Sequence, residues 1–281
     1  MVRSVDGTEL HAEVFGGGAC TVVLVHGWMC SSRMWRRQVT DLAADHQVVT
    51  YDLRGHARSG PAAGGDYSSD ALAADLDAVL HQAVPPDRTI VLAGHSMGAM
   101  SIVAWARAHP DQVRSRVAGV VLANTGVEEL VGRARIVVVG AALTRARLAL
   151  GTRLLGWALP LPTRPRALVA RVVRFLTLGP SASPAQIAFA TDMVMAGSAE
   201  VRAGFGATLA TIDLLDGLDA ITVPAVVVAA EHDRLTPPVH ARRMAEALPD
   251  ATLVEIPGVG HLTPIEAPDQ LTAAIRRLSR P

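Results

Sequence analysis

Residues 89–100, Thr-Ile-Val-Leu-Ala-Gly-His-Ser-Met-Gly-Ala-Met, constrain this chain more than any other stretch. Thr89 to Ala93 is a β-branched and aliphatic run, the pattern of a buried strand. Gly94-His95-Ser96-Met97-Gly98 fits G-x-S-x-G. From Ala99 the chain turns alanine-rich, with Met100, Val103 and Ala104 on one helical face, and Pro110 closes the run. Strand, tight turn and helix in that order lift a serine hydroxyl clear of a sheet edge, while the free N–H groups of the new helix point at any anion forming there. The glycines have a steric job, because a side chain at either would meet the neighbouring strand or helix as the turn tightens. An ordinary Gly-Ser loop is the competing reading, and the flanking strand and helix argue against it.

The same alternation extends in both directions. Leu10 to Phe15 has the period of a strand, and Thr21 to Val25 is a continuous apolar run, as expected for a strand covered on both faces. A short helix is predicted from about Met34 to Ala44, then a strand over Gln47 to Tyr51. Ser68 or Ser69 can cap a helix carrying Leu72, Leu76, Val79 and Leu80, which Pro85-Pro86 stops. Val117 to Leu122 is another buried strand. Strands alternating with helices predict a mostly parallel sheet with right-handed crossovers. The alternation breaks over residues 126–218, which hold only helical patterning and breakers, with ten arginines against six acidic residues. This segment reads as a helical insertion into a core domain made of residues 1–125 and 219–281. Strand and helix then resume: Ala225 to Ala229, Val239 to Leu248, Ala251 to Ile256, and a last helix from Pro268 to Arg280.

Composition narrows the class. With 281 residues, half of them hydrophobic and 19% charged, a sizeable core is available for one large domain with an insertion. A net charge of zero and no basic block give nucleic acid nothing to bind. All 26 basic side chains are arginine, which a GC-rich coding sequence explains. Cys20 and Cys30 make neither a disulfide framework nor a metal spacing, and no metal or cofactor is expected. The polar start Met1 to Gly7 lacks a signal-peptide core, and no apolar run approaches the roughly 20 residues that span a bilayer. A cytoplasmic protein without stable membrane insertion is the expectation; oligomeric state stays open.

Serine needs a base within hydrogen-bond reach, and that base needs a third group to hold its tautomer. Asp233, in Glu231-His232-Asp233-Arg234 directly after a buried strand, is the candidate acid, with Glu231 as competitor and a solvated loop carboxylate as the bland alternative. His232 reads as a loop side chain. His261, in Gly258-Val259-Gly260-His261 beyond the next strand, is the candidate base; a surface histidine is its bland alternative. The chain order Ser, Asp, His is the one found with G-x-S-x-G. Backbone N–H groups of Met97 and Trp28 are the expected donors to a developing oxyanion. Met29, His95, Trp157 and Leu262 are the candidates for lining a substrate pocket.

Taken together these residues resemble the α/β-hydrolase superfamily over almost the whole chain. His26-Gly27-Trp28 looks like its oxyanion-loop motif, Gly94 to Gly98 its elbow, and Asp233 and His261 its acid and base positions. Asp52 to Gly60 is similar to the family's D-x-R-G-x-G-x-S segment, a structural one, with Ala57 where glycine is usual. The resemblance implies an α/β-hydrolase fold with a Ser-His-Asp triad, and residues 126–218 fall where members insert a helical cap. Relatives that open epoxides or displace halide carry aspartate at the elbow, so Ser96 disfavours those chemistries. A serine esterase or lipase acting on an ester or acylglycerol is the expectation. Cofactor-free haloperoxidases or perhydrolases, carbon–carbon bond hydrolases and thioesterases or cyclases share the triad, and a silent small-ligand binder is the non-enzymatic alternative. Apolar groups such as 136–139, 154–155 and 157–159 alternate with arginine, which predicts an aliphatic roof. An amphipathic cap packed on the core is expected there, with peripheral lipid contact as the rival reading.

Overall fold

Seven strands form the central sheet in a computed structural model that describes residues 1–135, 158 and 164–279. A short antiparallel ribbon, β1 (Val2–Arg3) with β2 (Glu9–Leu10), precedes it. The main strands are β3 (Ala12–Gly16), β4 (Cys20–Val25), β5 (Gln47–Tyr51), β6 (Thr89–His95), β7 (Val117–Ala123), β8 (Ala225–Ala230) and β9 (Ala251–Ile256). Their order across the sheet is β3-β5-β4-β6-β7-β8-β9, with β3 antiparallel at one edge and every other pairing parallel. Both faces are covered, as the unbroken apolar runs require. Val23, Val25, Leu92 and Leu122 enter one core cluster, and their neighbours Val22, Leu24, Val91 and Val121 enter the other, the period-2 consequence of a pleated strand.

The helices are α1 (Arg36–Leu42), α2 (Ser69–Ala83), α3 (Met97–Ala108), α4 (Pro110–Arg116), α5 (Leu130–Arg133), α6 (Arg166–Thr177), α7 (Pro184–Ala196), α8 (Ala199–Thr211), α9 (Pro238–Ala247), α10 (Thr263–Glu266) and α11 (Pro268–Leu278). Ser68 caps α2 by accepting the N–H of Ala71. Two boundaries differ from the sequence expectation, at Met34 and at Pro110. The helix expected from Met34 starts as a 3-10 turn over Ser32–Trp35 before α1. Pro110 ends α3 but also opens α4, because a proline at the first helical position gives up no internal bond; the last helix, α11, opens at Pro268 as expected. Helices α5 to α8 lie between β7 and β8 in the chain. No described helix is long and apolar enough to cross a membrane.

Buried polar groups fix the loops at the carboxyl ends of β4 and β5. Arg54, fully buried, holds Asp75 of α2 in a bidentate pair at 2.7 and 2.6 Å, and also reaches Asp6 and the carbonyls of Asp66 and Ala71. Asp52 accepts the N–H of Ser32, and burial, which raises its pKa, is outweighed by His26 and these backbone donors. His26 Nε2 accepts the N–H of Leu53, and His56 Nε2 accepts the N–H of Met29 while its Nδ1–H donates to the Arg54 carbonyl. Ala57, where glycine is usual, has φ +45°, so the backbone keeps the left-handed turn that glycine would favour. The segment is structural in the sense the sequence suggested.

Several histidines are held neutral in this framework. Burial, then the neighbouring His26, takes His56 down to about 3; burial, then His261, takes His95 to about 3; burial, then Arg133, takes His240 to about 4. Each sits below the unfolded value of about 6.5. Below that pH the unfolded chain takes up protons that the folded chain refuses, so stability is lost as pH falls. Each of the three costs about 1.4 kcal/mol per pH unit until its folded pKa is reached. Against a typical stability of about 5–15 kcal/mol, unfolding is expected between about pH 6 and pH 4, with no comparable change up to pH 8. Near-ultraviolet circular dichroism across this range checks it; unchanged stability at pH 4 would contradict the neutral burial of these rings. Asp75→Ala, which strands Arg54 in the core, should cost about 3–5 kcal/mol, read from the urea midpoint; a loss below about 1 kcal/mol would reduce the pair to a surface-like contact.

Candidate active site

The parallel strands β4, β6, β7, β8 and β9 are neighbours, so the loops leaving their carboxyl ends meet along one edge. Ser96 follows β6 with φ +53° and ψ −122°, a strained conformation for a residue with a side chain. A Cβ on Gly94 would sit 2.5 Å from the Ala99 Cα, and one on Gly98 would run into the Val25 carbonyl, so the turn excludes larger residues at both positions. Ser96 N–H donates to the Ala123 carbonyl at 2.9 Å, and the Thr125 hydroxyl donates to the Ser96 carbonyl at 2.9 Å. These bonds lock the serine between β6 and the end of β7.

Asp233 and His261 are in direct contact. His261 Nδ1 lies 2.8 Å from Asp233 Oδ2, and both side chains are buried. The same carboxylate accepts the Thr236 hydroxyl at 2.9 Å, the Asn124 side-chain N–H at 3.1 Å, and the backbone N–H groups of Leu235 and Thr236 at 2.9 Å each. Burial pushes Asp233 up, but His261 and the Thr236 donors outweigh it, and the carboxyl stays below its ordinary range. An ionised Asp233 can only accept, so Nδ1 carries the imidazole proton and Nε2 is left as the basic nitrogen. Such a ring can take a proton at Nε2 while its new charge is stabilised from behind.

The loop after β4 lies against the serine. A Cβ on Gly27 would stand 3.0 Å from the Ser96 Cβ. Cys30 N–H is used by the Gly27 carbonyl and Met29 N–H by His56, bonds in which Trp28 N–H takes no part. Met97 is the first residue of α3, so its N–H has no acceptor within the helix. The start of α3 and the loop at Gly27 therefore both border the serine.

Not every candidate falls where the sequence suggested. Glu231 is exposed and accepts the Gly258 N–H at 2.8 Å, and His232 lies beside it at the surface; neither reaches His261. His95 is not a pocket wall: its ring is 1% exposed, packs edge-on against His261 with centroids 4.8 Å apart, and lies 2.7 Å from the His261 carbonyl through Nε2. Leu262 is 2% exposed and belongs to the second core cluster, so it packs rather than lines. Met29 reaches the inserted helices, its methyl group being 2.5 Å from where a Cβ on Gly197 would stand. Trp157 and the apolar groups 136–139 and 154–155 lie outside the described residues. Asn124 and Thr236 went unnoticed in the sequence. Thr236, three residues after Asp233, is the legible one, since an aspartate that accepts the N–H groups two and three residues on is a recurring turn.

The family profile of the alpha/beta hydrolase fold matches residues 21–268. RutD of Variovorax paradoxus (strain S110), a carbamate hydrolase by assignment, is 33% identical over 261 residues, covering 90% of this chain and 89% of its own. The solved structure of a thermophilic esterase from Thermogutta terrifontis matches with a TM-score of 0.77 at 26% identity, over 99% of this chain and 98% of that one. The enol-lactonase from Burkholderia xenovorans LB400 matches with a TM-score of 0.77 at 26% identity, over 99% of both chains. A profile that runs from the first residues of the inner sheet to the last helix, and a relative similar over nearly the full length, place this chain in the α/β-hydrolase family.

Proposed function

We propose that this protein is a serine hydrolase that cleaves a carboxylic ester through an acyl-enzyme. The observation that carries the reading is the 2.8 Å bond between His261 Nδ1 and the buried, ionised Asp233, at the same sheet edge as the strained Ser96. Ser96 Oγ attacks the ester carbonyl carbon and its proton passes to His261 Nε2, across a hydrogen bond made when substrate is bound. The carbonyl oxygen becomes an oxyanion facing the N–H groups of Trp28 and Met97. As the C–O bond breaks, His261 returns the proton to the leaving alcohol and Ser96 keeps the acyl group. Water, deprotonated by His261, then attacks the acyl carbon; the proton goes back to Ser96 Oγ as the acid is released. Asp233 stays ionised throughout.

Relatives named for ester, enol-lactone and carbamate hydrolysis all act at a carbonyl bearing a heteroatom leaving group, which supports the reaction class. Helices α5 to α8 are read as a cap over the site. Helix α7 carries a single charged residue, Asp192, among Ile187, Phe189, Met193 and Val194, which favours an uncharged, apolar acyl group.

Ser96→Ala is expected to abolish turnover of p-nitrophenyl esters; persisting activity would remove Ser96 from its role. Asp233→Asn should lower kcat about ten-thousandfold, because the imidazole then adopts the wrong tautomer. A loss of only a few fold would mean that His261 works without its carboxylate. Across acetate to palmitate esters, kcat/KM is expected to rise beyond acetate, and a strict acetate preference would contradict the apolar acyl site.

A further inference from the structure

Helices α6 and α7 are joined by a short segment that is sewn onto the loop carrying His261. Leu262 N–H donates to the Thr177 carbonyl at 3.1 Å, and the Gln186 side-chain N–H donates to the Ile265 carbonyl at 2.9 Å. A Cβ on Gly260 would collide with the backbone of Leu178 and Gly179, so the two chains touch backbone to backbone. One carboxylate stands at this junction. Glu266 Oε2 accepts the N–H of Gly179 at 2.6 Å, and Glu266 Oε1 accepts the N–H of Gly260, next to His261, at 3.1 Å. The acid loop is tied to the same region, since Arg234 donates to the Phe175 carbonyl at 2.8 Å and stacks on its ring at 4.5 Å.

We propose that Glu266 is a positioning residue: its two oxygens clasp residues 177–182 to residues 258–262, so that the inserted helices and the His261 imidazole hold one register. The proposal rests on the reading of His261 as the base. Two donors far apart in the chain converge on one side chain, beside the backbone bond from Leu262 N–H to the Thr177 carbonyl. Only a carboxylate can serve both, because an amide would turn its own N–H₂ toward one of them. Burial holds the Glu266 carboxyl above its ordinary range, and the Gly179 and Gly260 donors offset this only in part. An imidazole displaced by even about 1 Å loses rate steeply, which gives a remote carboxylate leverage over the chemistry.

Hydrogen exchange of the full chain, read by mass spectrometry, tests the clasp directly. In Glu266→Gln, exchange should speed up at least about tenfold in both 177–182 and 258–262, with β6 to β8 unchanged. Labelling of Ser96 by a fluorophosphonate should slow at least about tenfold, with kcat falling more than KM rises, while the exposed control Glu246→Gln matches the parent. Unchanged protection in either segment, or loosening of one without the other, would overturn the proposal. Glu266→Asp, which keeps the charge but falls one methylene short, is the second variant, and it must loosen the same pair. A parent protein that does not react with fluorophosphonate would sink the hydrolase reading, and the exchange comparison would still decide the clasp.

Discussion

The hydrogen bond between Asp233 and His261 is the contact on which the rest of the site depends. It costs a buried carboxylate, and the fold supplies five donors to offset that cost: the ring, the Thr236 hydroxyl, the Asn124 amide and two backbone N–H groups. With every acceptor site used, the carboxylate has no cheaper arrangement, and the imidazole inherits a fixed tautomer. The donors come from the ends of β7 and β8 and the ring from beyond β9, so parallel, adjacent strands are a precondition of the bond.

A second layer of neutral histidines supports this edge. His95 fastens the His261 backbone from beneath the elbow, and His56 fastens the loop that presents Trp28. Phe205 of α8 packs against His56 with centroids 5.5 Å apart, and Val201 crowds Gly55, so an inserted helix presses on the histidine that shapes the loop after β4. Among the described residues, helices α6 to α8 and their joining segments touch the site's supports at the His56 loop, at Met29, at Arg234 of the acid loop and at the Glu266 junction. Uncharged rings suit that role because they exchange hydrogen bonds in both directions without demanding a counter-ion.

How much of this is legible in the chain depends on how far each contact reaches. The sheet, the elbow and the positions of Ser96, Asp233 and His261 follow from local pattern, because each candidate comes directly after a buried apolar run and the strand alternation needs no long-range information. Glu231 and Asp233, two residues apart, could not be separated by spacing; the structure separates them, one exposed and one fully enclosed. Asn124 acts on Asp233 across 109 residues and Glu266 on Gly179 across 87, and neither distance leaves a trace in local periodicity. His95 looked like a pocket residue because it flanks the serine, yet the turn that exposes Ser96 drives its neighbour inward.

The most direct measurement is a crystal structure of the protein inhibited by a p-nitrophenyl alkylphosphonate. Phosphorus is expected to be bonded to Ser96 Oγ in place of the departed p-nitrophenolate, with one phosphonate oxygen about 2.7–3.1 Å from the N–H groups of both Trp28 and Met97 and the other beside His261 Nε2. A phosphonate attached to another residue, or one with no oxygen at those two amides, would contradict the account.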